Sequence, residues 1–393
     1  MSTIRYARGL SLIEIMVALA ISSLLILGLV QVFSASRSAY QLSEGLARTQ
    51  ENARFAIDFL QRDIRMAGHF GCVNDQAHFV KNEGDPRQHF GGAGTITPGA
   101  GHPLDFTVSV EGYEAPGTGP GQSLTIGGSW AIPAGMPAEV AALDPARGSD
   151  VLVLRYLYNE GAPVTGIATA GSGETLTVDA SRFGALTNGG VPAPVMFGVT
   201  DCNHADVFPG ATGGGTTVST PANYSFEGRY VPAPNGLATL YRAESIVYYV
   251  AMNSAGEPAL WRARADGAGA YPAANREELV EGIESMQLLF GQDEVVNITS
   301  ASPPRGNITV QNTAEVVRSG TPAQRVTQWR RVGLVQVGLL ARSPNRASAA
   351  QAAEGAARQR VLGVEFIPGA NNDARYRASY EATVALRNRL FGN

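Results

Sequence analysis

Three groups of residues in this 393-residue chain have types and spacings that could do chemistry. The first is a lone carboxylate, Glu14, inside the apolar run of residues 10–33, which begins directly after Arg8-Gly9. A charge in such surroundings is unfavourable unless a cation meets it, so its chemistry is ion pairing. The second group is Cys72 and Cys202, with His69 and His204 close to them in sequence. They read either as a mixed cysteine–histidine metal set, although the spacing is not a standard zinc signature, or as a disulfide with two bystander histidines. The third is arginine: Arg325, Arg330 and Arg331, then Arg375, Arg377, Arg387 and Arg389. These read as solvated faces or strand-edge protection, or as a phosphate-binding patch. Asp201 and Asp206 lack the alternating acids of a calcium loop. There is no H-E-x-x-H, no G-x-S-x-G and no P-loop, and "GATGGGTT" (210–217) lacks the lysine and helix of a phosphate cradle. No catalytic residue, metal or cofactor is expected.

These residues need elements to position them. Apolar residues make up 44% of the chain, enough for a core, and the net charge of −4 gives no global basic footprint for nucleic acid. No proline precedes Pro86, whereas the remainder is rich in glycine and proline. Residues 10–33 form a 24-residue run with one charge. As a helix it spans about 36 Å, against about 30 Å of bilayer hydrocarbon. Arg5 and Arg8 precede it with no acidic residue before them, so the positive-inside rule puts the N-terminus in the cytoplasm and the rest outside. A secretory signal cut after Ser34-Ala35-Ser36 would have a shorter apolar region and no Glu14. A plain membrane anchor leaves Glu14 unexplained.

The helical pattern continues beyond the apolar run. Leu42, Leu46, Ala53, Ile57, Leu60, Ile64 and Ala67 recur at steps of three, four and seven, which marks one helix face. Glu51–Arg54 and Asp58–Arg62 have helix-supporting spacings, and Gly68 is a stop signal. One helix is therefore expected from about residue 10 to residue 67, with Gly28 and Gly45 as weak points. Its first half suits lipid or a fibre core, and its second half needs a globular head.

Arg8-Gly9-Leu10-Ser11-Leu12-Ile13-Glu14 resembles the prepilin peptidase site of type IV pilins and type II secretion pseudopilins. The resemblance implies a cut between Gly9 and Leu10, N-methylation of Leu10, and pairing of Glu14 with a neighbouring subunit's new amine during assembly. The family usually has phenylalanine where Leu10 stands.

After Cys72 the sequence reads as strands broken by Gly/Pro turns: "DVLVLRYLY" (150–158), "TLTVD" (175–179), "ESIVYYVA" (244–251), "ALWRARA" (259–265), "VGLVQVGLLAR" (332–342) and "YEATVALRN" (380–388). "REELVEGIESMQLLFGQD" (276–293) reads as a helix or turn leading into a strand, and "SAAQAAEGAARQ" (348–359) as a helix or loop. Segments 82–147, 161–173 and 209–221 read as long surface loops. The fold class is thus α+β: a leader (1–9), a transmembrane or fibre-core helix (10–33), an amphipathic stem (34–68) and a β-rich head (69–393).

"FLQRDIRMAGHFGC" (59–72), "LVEGIESMQLLFG" (279–291) and the ending "ATVALRNRLFGN" (382–393) resemble the PilW family of type IV pilus minor pilins. The resemblance implies a low-abundance, non-enzymatic pilin that helps initiate assembly near the fibre tip and supports twitching motility and adhesion. Its partners would be prepilin peptidase, other minor pilins, the major pilin, the inner membrane with its assembly platform, and a tip adhesin, with nucleic acid not expected. A type II secretion pseudopilin and a ligand- or DNA-binding surface pilin are the alternatives. An oxidising location for the head favours the Cys72–Cys202 disulfide over a metal site.

Overall fold

The structure is a computed structural model and describes residues 11–74, 86–90, 96–226, 228–299, 302–346, 358–369, 373 and 375–388. One helix runs from Leu12 to Met66 without interruption, passing straight through Gly28 and Gly45. Ser11 caps its start: the Ser11 hydroxyl accepts from the Glu14 N–H at 3.3 Å, and the Glu14 carboxylate accepts from the Ser11 N–H at 3.0 Å. This reciprocal pair satisfies two of the donors a helix start leaves unpaired. At the other end Ala67 turns extended and Gly68 adopts a φ of 74°, and the Gly68 N–H donates to the Arg155 carbonyl in the head. Glycine suits that left-handed position because it has no Cβ to clash.

The stem packs on two sheets. The larger has eleven strands, built around the long antiparallel pair Val151–Ala170 and Thr239–Met252. The smaller has four antiparallel strands in the order Ile308–Asn312, Ile283–Asp293, Val332–Arg342, Arg377–Ala385. Ala53, Ala56, Leu60, Ile64 and Ala67 of the stem lie in one core with Leu152, Leu154, Ile246 and Tyr248 of the first sheet and Ile283, Val335, Leu339 and Val384 of the second. The other side of the large sheet has its own core, where Val151, Val153, Leu157, Val247 and Tyr249 meet Phe70, Phe106 and Tyr113. Alternate residues of "VLVL" therefore enter two different cores. That is why the run is apolar throughout and not alternating.

Three expected loops are ordered structure. Segment 161–173 continues the Val151–Ala170 strand to its end, paired with Gly173–Val178 through Val164↔Val178 and Ile167↔Leu176. Segment 209–221 holds the hairpin Ala211–Gly213/Thr217–Ser219, which extends the same sheet, with Gly214 and Gly215 at positive φ in its turn. The described part of segment 82–147 carries Leu104, Phe106, Val108 and Val110 into the interior, all but fully buried. A fully buried arginine gathers that segment in: Arg155 donates to the carbonyls of His102, Pro103 and Val108 and to the Glu111 carboxylate, at 2.6–3.1 Å. Residues 276–293 contain no helix. They form two strands, Arg276–Glu281 and Ile283–Asp293, separated by Gly282 at a φ of 85°, and one strand joins each sheet. Most of segment 348–359 lies outside the described residues.

Candidate assembly interface

From Leu12 to Phe33 every helix residue is exposed, and none touches the head. Leu12 is 80% exposed and Phe33 70%, although this is the most apolar stretch of the chain. An apolar surface this large needs cover from lipid or from other protein. The helix is long and apolar enough to cross a membrane. Glu14 lies at its first turn, and among the described residues its carboxylate is held by Ser11 alone. That contact is local, so the carboxylate can be redirected to a stronger cationic partner without disturbing the head. Gly9 and Leu10 lie outside the described residues.

The lower stem is fixed to the head by polar contacts as well as by the core. Asp63 sits on the buried face of the helix and accepts from the Tyr248 hydroxyl and from the Arg262 guanidinium at 2.9 Å; Arg262 also reaches Glu277 at 2.9 Å. The Asn52 side chain donates to the Glu281 carbonyl at 3.0 Å. Near the chain's end the Asn388 amide donates to the Arg65, Met66 and Ala67 carbonyls at 3.1–3.4 Å. Those carbonyls are the ones a helix C-terminus leaves without partners. Sequence reasoning passed over Asp63 and Asn388. Asp63 had a signal: it falls on the Ala56, Leu60, Ala67 stripe, where a carboxylate has to find partners.

Cys72 and Cys202 form a disulfide with Cα atoms 4.8 Å apart. It ties the turn just after the stem to the loop between the Met196–Thr200 and Ala205–Pro209 strands. The two histidines do not join it. His69 Nδ1 lies 2.8 Å from the Leu157 carbonyl, and His204 sits beside Asp201 and edge-on to Tyr230. Among the described residues no group of three histidine, cysteine or acidic side chains is placed to hold a metal ion. Asp201 accepts from the Asn203 and His204 amides, whereas Asp206 is buried among His89, Arg229 and Tyr230, so the two acids serve different local structures.

The arginine clusters are largely occupied within the head. Arg331 donates to the Asp293 carbonyl and to Gln328, and Arg330 is buried. Arg375 bonds Glu257 at 2.7 Å, and Arg377 holds Glu284 and Asp373 at 2.7–3.0 Å. Burial works against the charge on Glu257, but hydrogen bonds from Arg342 and Arg375 outweigh it and hold its pKa below the usual range. Arg387 is exposed, and Arg389 lies outside the described residues. Arginines committed to internal carboxylates and carbonyls are not a phosphate-binding patch.

A buried acid pair joins the two sheets. Asp150 accepts from the Ala115 and Leu288 amides, both at 2.9 Å; Glu114 accepts from Ala314 at 3.2 Å; and the Thr118 hydroxyl reaches both carboxyls. Burial pushes Glu114 up to about 7, and burial together with the nearby Glu114 raises Asp150 well above the carboxylate range. A carboxyl whose pKa is raised on folding binds its proton more tightly in the folded state. Its contribution is complete below about pH 4.5, the ordinary value, and is lost as pH rises through about 7. The wild-type chain is expected to lose a few kcal/mol relative to Glu114→Gln between about pH 5 and 8. Unfolding midpoints of the two proteins across that window check this, and a constant difference contradicts it.

A continuous helix, apolar and uncovered in its first half and docked on a β-rich head in its second, is a type IV pilin-like architecture. Residues 4–30 match the prokaryotic N-terminal methylation motif, and the head matches in its C-terminal part: residues 247–388 match the family described as type IV pilus-assembly protein W. The two matches together support a type IV pilus minor pilin of the PilW family, a structural pilus component and not an enzyme. Searches of curated proteins and of solved structures gave no match.

Proposed function

We propose that this pilin helps initiate type IV pilus assembly together with other minor pilins and sits near the fibre tip, where it supports twitching motility and adhesion. In this reading prepilin peptidase removes residues 1–9 and methylates Leu10. The chain waits in the inner membrane with residues 69–393 in the periplasm, then enters the fibre through the assembly platform. There Glu14 meets the amine of an adjacent subunit, the major pilin or another minor pilin, and a tip adhesin is a further partner. The observation that carries the reading is the division of a single helix into an uncovered apolar half and a half clamped to the head. Such a rod can leave lipid and enter a helical fibre core without refolding its head.

Deleting the protein is expected to abolish surface pili and twitching while leaving exoprotein secretion intact. The reverse outcome, pili intact and secretion lost, would make it a type II secretion pseudopilin.

A further inference from the structure

The stem helix leaves its apolar stretch at Phe33 and meets the head about ten residues later. Between these points lies a cleft of about 470 Å³, lined by Arg37, Tyr40, Glu44 and Arg48 on one face of the helix and by Asn345 and Arg346 from the head. The head loop packs here against the helix at Gly45, where a Cβ would lie 3.4 Å from the Ser343 Cβ, an ordinary contact distance. The cleft is cationic. Among the described residues Glu44 is its only acid, and Arg48 already neutralises it at 2.9 Å. Arg37 and Arg346 are exposed and have no ion-pair partner among the described residues.

Its height along the helix identifies its occupant. Arg37 stands about 6 Å and Tyr40 about 10 Å above Phe33 along the axis, taking 1.5 Å per residue. The headgroup layer of one leaflet is roughly 5–8 Å thick. With residues 10–33 in the bilayer, Arg37 lies among the phosphates and Tyr40, 70% exposed, just outside them. Arg346 lines the same cleft from the head.

We propose that this cleft binds the phosphate headgroup of an anionic phospholipid in the leaflet facing the head, with Arg37 and Arg346 as the ligating cations. The contact would hold the head against the membrane before assembly and must be released when the helix is extracted. The proposal rests on the membrane-anchored reading given above.

The full chain is reconstituted in vesicles of phosphatidylcholine, alone or with one-third phosphatidylglycerol, and amide hydrogen exchange is followed at Asn345 and Arg346. The expected result is slowing by about fivefold or more in the anionic vesicles, since each arginine near an anionic surface contributes about that factor. The slowing disappears in Arg37→Gln/Arg346→Gln. Equal exchange in the two lipids, by protein that floats with the vesicles, overturns the headgroup site alone, whereas failure to float overturns the anchor itself. Protection in phosphatidylcholine vesicles on adding inorganic phosphate makes it a free-anion site. Protection that needs the arginines but not the anionic lipid points to a neighbouring subunit's carboxylates. Either of these last two outcomes also contradicts the proposal.

Discussion

Replacing Cys72 and Cys202 together with serine is expected to destabilise the head by about 5 kcal/mol, the largest single effect anticipated for this chain. The bond closes a loop of 130 positions. In the chain-entropy model a cross-link of that span removes close to 5 kcal/mol of unfolded-state entropy. Location adds a second consequence. Cys72 lies six residues past the last helical residue, so the bond fixes the exit of the stem to the large sheet. Without it, the stem's hold on the head depends on the shared core and on Asp63, Asn52 and Asn388. Reductant should shift the unfolding of wild-type protein toward that of the double variant and leave the variant unchanged. Coincident unfolding of wild type and variant under oxidising conditions contradicts this.

Glu14→Ala is expected to leave membrane insertion intact and to lower incorporation into fibres by at least about tenfold, because removing one member of a desolvated charge pair strands the other. The substitution also breaks the Ser11–Glu14 cap, so Glu14→Gln is the decisive companion. Glutamine serves in a capping box as glutamate does, but it carries no charge. If pairing with a neighbour's amine is the role of Glu14, the glutamine variant fails in assembly as the alanine variant does. Recovery of incorporation by Glu14→Gln assigns the residue to capping. Quantitative immunoblots of sheared fibres against membrane fractions give the ratio.

The helix was readable because its signal is periodic and long. Ala53, Leu60, Ile64 and Ala67, picked out by spacing, are buried in the core shared with both sheets. The disulfide was readable from cysteine number once the head was placed in an oxidising compartment. Glycine and proline content points to loops in 161–173, 209–221 and the described part of 82–147, and it hides the ordered structure there. In "HPLDFTVSV" the period-two series Leu104, Phe106, Val108, Val110 is present, but the cores that bury it come from elsewhere in the chain, and the segment's carbonyls are held by Arg155, 45 positions after Val110 and itself part of a strand. A charged residue that organises a distant segment by carbonyl contacts leaves no local pattern. Likewise the arginine clusters looked like surface charge until their carboxylate partners, Glu257, Glu284 and Asp373, came from elsewhere in the chain. Residues 276–293 read as a helix or turn leading into a strand, yet Gly282 and two flanking sheets make them a pair of strands.

The central claim is that the N-terminal segment is an assembly helix released by processing at Gly9. Intact-mass and N-terminal fragment analysis of the protein extracted from membranes tests it most directly. The account predicts a chain beginning at N-methyl-Leu10. A chain retaining Met1, or one beginning at Arg37, would contradict it.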